Sequence, residues 1–305
     1  MRIFYGLNPT IKYRKPVVAL GVFDGLHLGH RHILLHVVNK ARAIKGTAIV
    51  VTFWPHPQRQ ESLYSLEHRL RLIAECGIDV CVVIKFSPVF ARIPAEKFIE
   101  QILVKKIHAD YICVGRNFRF GQGAKGDFKL LKKFSRRFDF KLKGFRMLKI
   151  NRKNISSTYI RRLITSGKLS QAQSLLGRPV SVFGTVIKGR SLARRLGFPT
   201  ANINPHHEVL PPSGAYAVKV ILGRVKLNGV CNIGFRPTIP RFGLAQSSKH
   251  VEAHIFNFHK NIYKKDLEIQ FIKKIRQEKK FSSLHDLGAQ INKDIEFARN
   301  MFSRH

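Results

Sequence analysis

"GVFDGLHLGH", residues 21–30, decides the fold of the amino-terminal half. An apolar run, "VVALGVF" at 17–23, stops there, and helical spacing of Ile33, Leu34, Val37, Val38 and Ala41 starts directly afterwards. A strand therefore ends near "FDG", turns tightly and enters a helix whose first turn carries His27 through His30. In an open parallel α/β sheet, ligands bind just outside the carboxyl ends of strands, where free N–H groups and the helix dipole favour anions. Gly29 lets a phosphate approach the backbone, and His27 and His30, at i and i+3, can point the same way and donate hydrogen bonds to it. One reading is a nucleotide phosphate site, with donors that steady a pentacoordinate α-phosphorus and no covalent nucleophile. The other is that two histidines merely cap a helix. "ISSTYIRRL", 155–163, places Ser156, Ser157, Thr158 and Arg161 at a second helix start, again a phosphate-binding composition, and weighs toward the first reading.

Outward from this stretch, "TAIVVTF" (47–53), "VCVVIKF" (80–86) and "YICVG" (111–115) read as further buried strands. Between them, Leu66, Leu70 and Ile73, then Phe98, Ile99, Ile102 and Leu103, recur at helical spacing. Repeated alternation of this kind implies an α/β domain, a parallel sheet with helices on both faces. Past residue 178 the character changes. "PVSVFGTVI", "GAYAVKVIL", "KLNGVCNIGF", "HVEAHIFNF" and "DLEIQFIKKI" are strand-like runs parted by turn residues, which points to a small antiparallel β-barrel. One closing helix follows. It starts at a capping box of Ser283 and Asp286 and carries an apolar stripe of Leu284, Leu287, Ile291, Ile295 and Ala298. "SLLGRPV" supplies the junction, so the expected domains are 1–177 and 178–305.

The 305 residues and 44% apolar content suffice for two domains with real cores. Lys and Arg number 55 against 18 Asp and Glu, a formal charge of +37. That potential attracts phosphates, whether of nucleic acid or of a polyphosphate ligand, or is a solvated basic surface and nothing more. Cys76, Cys81, Cys113 and Cys231 lack metal spacing and read as reduced structural thiols. No secretory signal and no membrane-length apolar run is found, so a soluble cytoplasmic protein is expected.

His-x-Gly-His after a first strand, with a later hydroxyl-rich basic segment, resembles the nucleotidyltransferases that include class I aminoacyl-tRNA synthetases and coenzyme adenylyltransferases, and so implies a Rossmann-like domain. More closely, "GVFDGLHLGH", "TFWPHP" (52–57), "VGRNFRFG" (114–121) and "ISSTYIR" (155–161) together resemble the bacterial bifunctional riboflavin kinase/FAD synthetase family. "LGFPTANI" (196–203), "GVCNIGFRPT" (229–238), "VEAHIFNF" (251–258) and "RQEKKFSSLHDLGAQINKD" (276–294) resemble its riboflavin kinase half, so the match spans nearly the whole chain.

The resemblance implies phosphorylation of riboflavin to FMN and adenylylation of FMN to FAD, with ATP as co-substrate and Mg2+ as cofactor. In the first half, His27, Gly29 and His30 would meet the ATP phosphates, with Ser156, Ser157, Thr158 and Arg161 closing over them. His56 and Pro57, at a carboxyl-end loop, would line the flavin phosphate pocket, unless His56 only orders the turn between two prolines. Asn117, Phe118 and Arg119 would form a flavin rim, Asn117 standing where the family more often has Asp. In the second half, Gly197 and Pro199 would border the ATP site, and Thr200 and Asn202 would bind Mg2+ and phosphates. Glu252 would take the proton of the riboflavin 5′-hydroxyl, the competing reading being a strand carboxylate paired with an arginine. Arg276 would contact flavin.

Departures concentrate in the kinase half. Ser191 and Ala193 stand where the family favours glycine; at a left-handed position each Cβ costs roughly 1 kcal/mol or more. Asn257, Asn261 and Lys264 replace frequent Asp, Asp and Gly. One alternative is thus a monofunctional FAD synthetase with a weakened kinase half. Another is an RNA-binding protein on a synthetase-like fold, against which stands "FPTAN" in place of any anticodon-type helical domain. No membrane and no nucleic-acid partner is expected.

Overall fold

A computed structural model describes residues 1–7, 13–57, 62–150, 152–189, 196–236 and 248–303. The chain divides into two compact units, Met1–Tyr159 and Ile160–His305.

The first unit is built on β1 (Arg2–Tyr5), β2 (Pro16–Leu20), β3 (Thr47–Trp54), β4 (Val80–Lys85), β5 (Tyr111–Gly115) and β6 (Lys141–Phe145). They form one parallel sheet in the order β1-β4-β3-β2-β5-β6. From β2 the chain steps outward through β3 and β4, then returns to the other side of β2 for β5 and β6. The reversal between β2 and β5 is a topological switch point, and the crevice outside their carboxyl ends is where such sheets bind ligands.

Helices cover both faces, as the alternation of strands and helices predicts. α1 (Leu28–Ala43) buries Ile33, Leu34, Val37, Val38 and Ala41, the residues whose spacing announced it, and packs on β2 and β3. α2 (Leu66–Glu75) starts at Ser65, whose hydroxyl accepts from the His68 N–H at 3.2 Å. On the opposite face, Val18, Leu20, Ile49, Val51 and Phe53 join a core with Phe98, Ile99, Ile102 and Leu103. Those four belong to a π-helical stretch, Phe98–Val104, that continues the short α4 (Ala95–Lys97), itself preceded by α3 (Pro88–Ala91). α5 (Phe128–Arg137) adds Leu131 and Phe134 to that core.

The outer strands β1 and β6 escape a reading based on buried apolar runs. "KLKGF" exposes Lys141 and Lys143, and β1 leaves Ile3 and Tyr5 exposed. A small hairpin, β7 (Lys149–Ile150) with β8 (Lys153–Asn154), leads to α6 (Ser157–Thr165).

In the second unit, α7 (Leu169–Leu176) precedes a closed barrel. Its strands are β9 (Val180–Ile187), β10 (Ala201–Asn204), β11 (Gly214–Leu222), β12 (Val225–Arg236), β13 (Ser248–Ile255) and β14 (Asp266–Arg276), ordered β10-β13-β12-β11-β14-β9 and antiparallel throughout. Five were evident as strand-like runs; β10 is only four residues long. α8 (Leu284–Ser303) begins at the expected box, with the Ser283 hydroxyl accepting from the Asp286 N–H at 3.0 Å and donating to its carboxylate at 2.8 Å. Its apolar stripe is used only in part. Ile295 and Ala298 are buried against Ala217, Val230 and Phe256, whereas Leu284 is 51% exposed. Lys264, where the resemblance leads to an expectation of glycine, has φ +62, a left-handed conformation that glycine adopts at less cost.

All four cysteines are free; Cys81, Cys113 and Cys231 are buried and Cys76 is partly so. Burial pushes the thiols of Cys81 and Cys113 up to about 12, and that of Cys231 up as well. The thiolate is the reactive form. At pH 8 an aromatic disulfide reagent should therefore modify Cys76 alone in the native protein and all four after denaturation. Prompt release of more than one equivalent from native protein would contradict this packing.

Candidate active sites

Past the carboxyl end of β2 the chain makes a tight, buried turn. Phe23 has φ +55, Gly25 φ +75 and Leu26 φ +37. A Cβ on Gly25 would lie 2.4 Å from Leu63 Cδ1, so glycine is required there for space and backbone alike. Asp24 fixes the turn. Its Oδ1 accepts from the Leu63 N–H at 2.9 Å, and its carbonyl accepts from the Ser157 hydroxyl at 2.8 Å. The Val22 carbonyl accepts from the Thr52 hydroxyl at 2.9 Å and from Arg69 Nη1 at 2.6 Å.

His27 then caps α1, with Nδ1 accepting from the His30 N–H at 3.3 Å. Its ring stacks on that of His30, centroids 3.7 Å apart and planes 17° from parallel. The cap and the paired imidazoles are thus one arrangement, not competing ones. An accepting Nδ1 leaves the proton of a neutral His27 on Nε2. A Cβ on Gly29 would stand 3.2 Å from the His27 ring, so the glycine keeps the turn tight. Phe23 meets His30 edge-on at 5.4 Å.

The second segment reaches the same turn through Ser157. Ser156 caps α6, its hydroxyl accepting from the Tyr159 N–H at 3.2 Å. Two of the three predicted hydroxyls thus also have local partners, while Thr158 is exposed and Arg161 lies one turn further along α6. His56 and Pro57 follow β3, beside β2, and are half-buried. Asn117, Phe118 and Arg119 follow β5, on the other side of β2. Phe118 stacks on Phe120 at 5.8 Å, and Arg119 pairs with Asp127 at 3.3 Å on the surface. Every predicted group of this half therefore follows β2, β3 or β5, or stands on α6 or at its cap.

In the barrel, Thr200 and Asn202 alternate along the "FPTAN" segment. Register puts Asn202 opposite Glu252 on β13, and Glu252 opposite Asn232 on β12. The intervening Ala201, Ala253 and Cys231 are buried in the barrel interior, so the amide–carboxylate–amide row lies on the outer face. Asn202 is only 5% exposed, and a Cβ on Gly189 would fall 2.0 Å from its Nδ2. His254, next but one to Glu252, donates from Nδ1 to the Pro199 carbonyl at 2.9 Å, which holds "FPTAN" against β13. Gly197, at φ +87, is exposed just before it. Ser191 and Ala193 lie outside the described residues.

Sequence reasoning missed several supports: Asp24, Thr52 and Arg69 in the first unit and His254 in the second. A signal existed for Arg69, a charge on the same helix face as Leu66, Leu70 and Ile73. Arg276 is committed within the protein. Its Nε and Nη2 grip the Asp294 carboxylate of α8 at 2.8–3.0 Å, and its guanidinium lies over Phe281. Asp294→Asn should cost roughly 1–3 kcal/mol, because a part-buried bidentate pair loses its charge partner. Denaturant unfolding of the full chain checks this; unchanged stability would show that the pair does not anchor α8.

Comparison with known proteins finds matches to both halves of the chain. A family model described as FAD synthetase matches residues 10–159, and one described as riboflavin kinase matches residues 176–302. The bifunctional riboflavin kinase/FMN adenylyltransferase of Haemophilus influenzae is 40% identical, covering 99% of this chain and 100% of its own length. That of Escherichia coli K12 is 37% identical, covering 94% and 92%. A crystal structure from Streptococcus pneumoniae, described as a macrolide-efflux protein, is 28% identical with a TM-score of 0.82 and covers 98% of this chain and 99% of that one. The described residues of the present chain include no helix long and apolar enough to cross a membrane. Two matched halves in the expected order, and whole-length relatives of one kind, show that the chain belongs to the bifunctional riboflavin kinase/FMN adenylyltransferase family.

Proposed function

We propose that the chain phosphorylates riboflavin to FMN on the barrel face bearing Asn202 and Glu252, and adenylylates FMN to FAD at the His27–His30 turn. The observation that carries this reading is the stacked imidazole pair at the amino terminus of α1, set at the switch point of the sheet. We take the catalytic halves as 1–177 and 178–305, working in the cytoplasm with small-molecule substrates and no nucleic-acid partner.

In the adenylylation, an FMN phosphate oxygen attacks the α-phosphorus of ATP, the bond to the bridging oxygen breaks, and pyrophosphate leaves. His27, through Nε2–H, and His30 donate to phosphate oxygens as charge builds up at the α-phosphorus. Gly29 lets the nucleotide come close to the helix terminus, and Ser156, Ser157, Thr158 and Arg161 supply further donors from α6. His56 and Pro57, with Asn117, Phe118 and Arg119 across β2, flank the flavin. In the kinase step, Glu252 accepts the 5′-hydroxyl proton of riboflavin as that oxygen attacks the γ-phosphorus and ADP leaves. Gly197 and Pro199 border the nucleotide, and Arg276 shapes the flavin side through its hold on α8.

The Thr200 hydroxyl and the Asn202 amide oxygen, alternating along one segment with Asn202 opposite Glu252, are oxygen donors of the kind that fits a hard cation shared with nucleotide phosphates. Thr200 and Asn202 would hold Mg2+. Bound there, it supplies positive charge that offsets the triphosphate.

Given riboflavin, ATP and Mg2+, the protein should form FMN and then FAD. The double variant His27→Ala/His30→Ala should accumulate FMN, with FAD formation down about 100-fold or more. Glu252→Gln should lose FMN formation yet convert added FMN to FAD. Normal FAD synthesis by the histidine variant overturns the first assignment; absence of FMN from the unmodified protein overturns the kinase half.

A further inference from the structure

Arg69 stands on the inner face of α2, among Leu66, Leu70 and Ile73, and is completely buried at 0% exposure. An aliphatic residue would continue that stripe without burying a charge, and burying a guanidinium is costly unless its donors are used. Its two terminal nitrogens are used on backbone carbonyls, whereas Nε has no hydrogen-bond partner. Nη1 donates to Val22 at 2.6 Å and Nη2 to Phe53 at 3.2 Å, while the guanidinium lies over the Trp54 ring, 5.5 Å from its centroid. Asp24 is near enough for its charge to offset part of the burial, with a smaller contribution from Glu67.

Val22 follows β2 on the way to His27, and Phe53 is the penultimate residue of β3 on the way to His56. One rigid planar fork thus ties together the origins of two loops, which are joined also by the strand ladder below them and by the Thr52 hydroxyl on the Val22 carbonyl, but among the described residues only Arg69 reaches both Val22 and Phe53. In the reading given under Proposed function, one loop carries the donors for ATP and the other the flavin phosphate pocket.

We propose that Arg69 is a positioning residue for FAD synthesis, which fixes the separation between the His27–His30 turn and the Pro55–Pro57 loop and so aligns the FMN phosphate oxygen with the α-phosphorus of ATP. This rests on the adenylylation site assigned above. A small misplacement of reacting groups costs rate steeply, on the order of 100-fold for about 1 Å. The effect should therefore fall on kcat more than on KM.

The test compares Arg69→Lys and Arg69→Met in the full chain, measuring FMN-to-FAD kcat and both KM values. Riboflavin-to-FMN turnover is measured in the same samples. Trp54 is the single tryptophan of the chain and lies against Arg69, so its emission and thermal transition report whether the first unit is folded. Lysine keeps the charge but cannot span both carbonyls. Arg69→Lys should show a wild-type-like Trp54 transition, KM values within about threefold, FAD-forming kcat lowered about 10-fold or more, and unchanged FMN formation. Arg69→Met should lose at least as much kcat; if it fails to fold, Arg69→Lys decides alone. A kcat for Arg69→Lys within twofold of the unmodified protein overturns the proposal and leaves Arg69 a purely structural residue. Failure of the unmodified protein to make FAD from FMN would instead overturn the site assignment.

Discussion

Asp24 joins parts of the chain that are far apart in sequence. Its carboxylate accepts from the backbone at Leu63, 39 residues on, and its carbonyl accepts from Ser157, 133 residues on. A turn with three of its four residues left-handed, Phe23, Gly25 and Leu26, is not stable by itself. These bonds, with those onto the Val22 carbonyl, fix it. The pairing of His27 with His30 follows, because the cap can form only if the chain enters α1 at the angle the turn sets. A buried polar residue with its donors and acceptors matched thus defines the site geometry, while the apolar strands define where that geometry stands.

The barrel solves a related problem by other means. Alternation along a strand sends every second residue outward, and register between β10, β13 and β12 then lines up Asn202, Glu252 and Asn232 without any irregular backbone. The irregular part is the approach to β10, and His254 fastens it to β13 through the Pro199 carbonyl. In the reading proposed above, a helix start presents the phosphate-binding donors of the first half, and a row of side chains across three strands those of the second.

Much of this was legible in the residues. The central strands and α1 were plain, since runs such as "TAIVVTF" and the spacing of Ile33 to Ala41 leave few alternatives once both faces of a sheet are covered. The outer strand β6 and the barrel strand β10 were not, because three of the five residues of β6 are lysine or glycine and β10 is too short to show a period. The placing of His27 and His30 together at a helix start was readable from their position after a strand. Their dependence on Asp24, Thr52 and Arg69 was hidden, as these bonds link positions whose proximity only the tertiary fold creates. Arg276 is the instructive case: the fold shows its guanidinium gripping Asp294, a partner that the motif did not announce.

The two units differ in one respect that bears on behaviour under stress. The barrel closes on itself and presents no unpaired strand margin. The sheet of the first unit has two such margins, at β1 and β6, and only β6 carries lysines, Lys141 and Lys143, that repel an incoming strand. On β1, Ile3 and Tyr5 lie exposed beside a single arginine. Intermolecular strand addition, the route to insoluble protein when copies crowd together, is accordingly channelled to the first few residues of the chain.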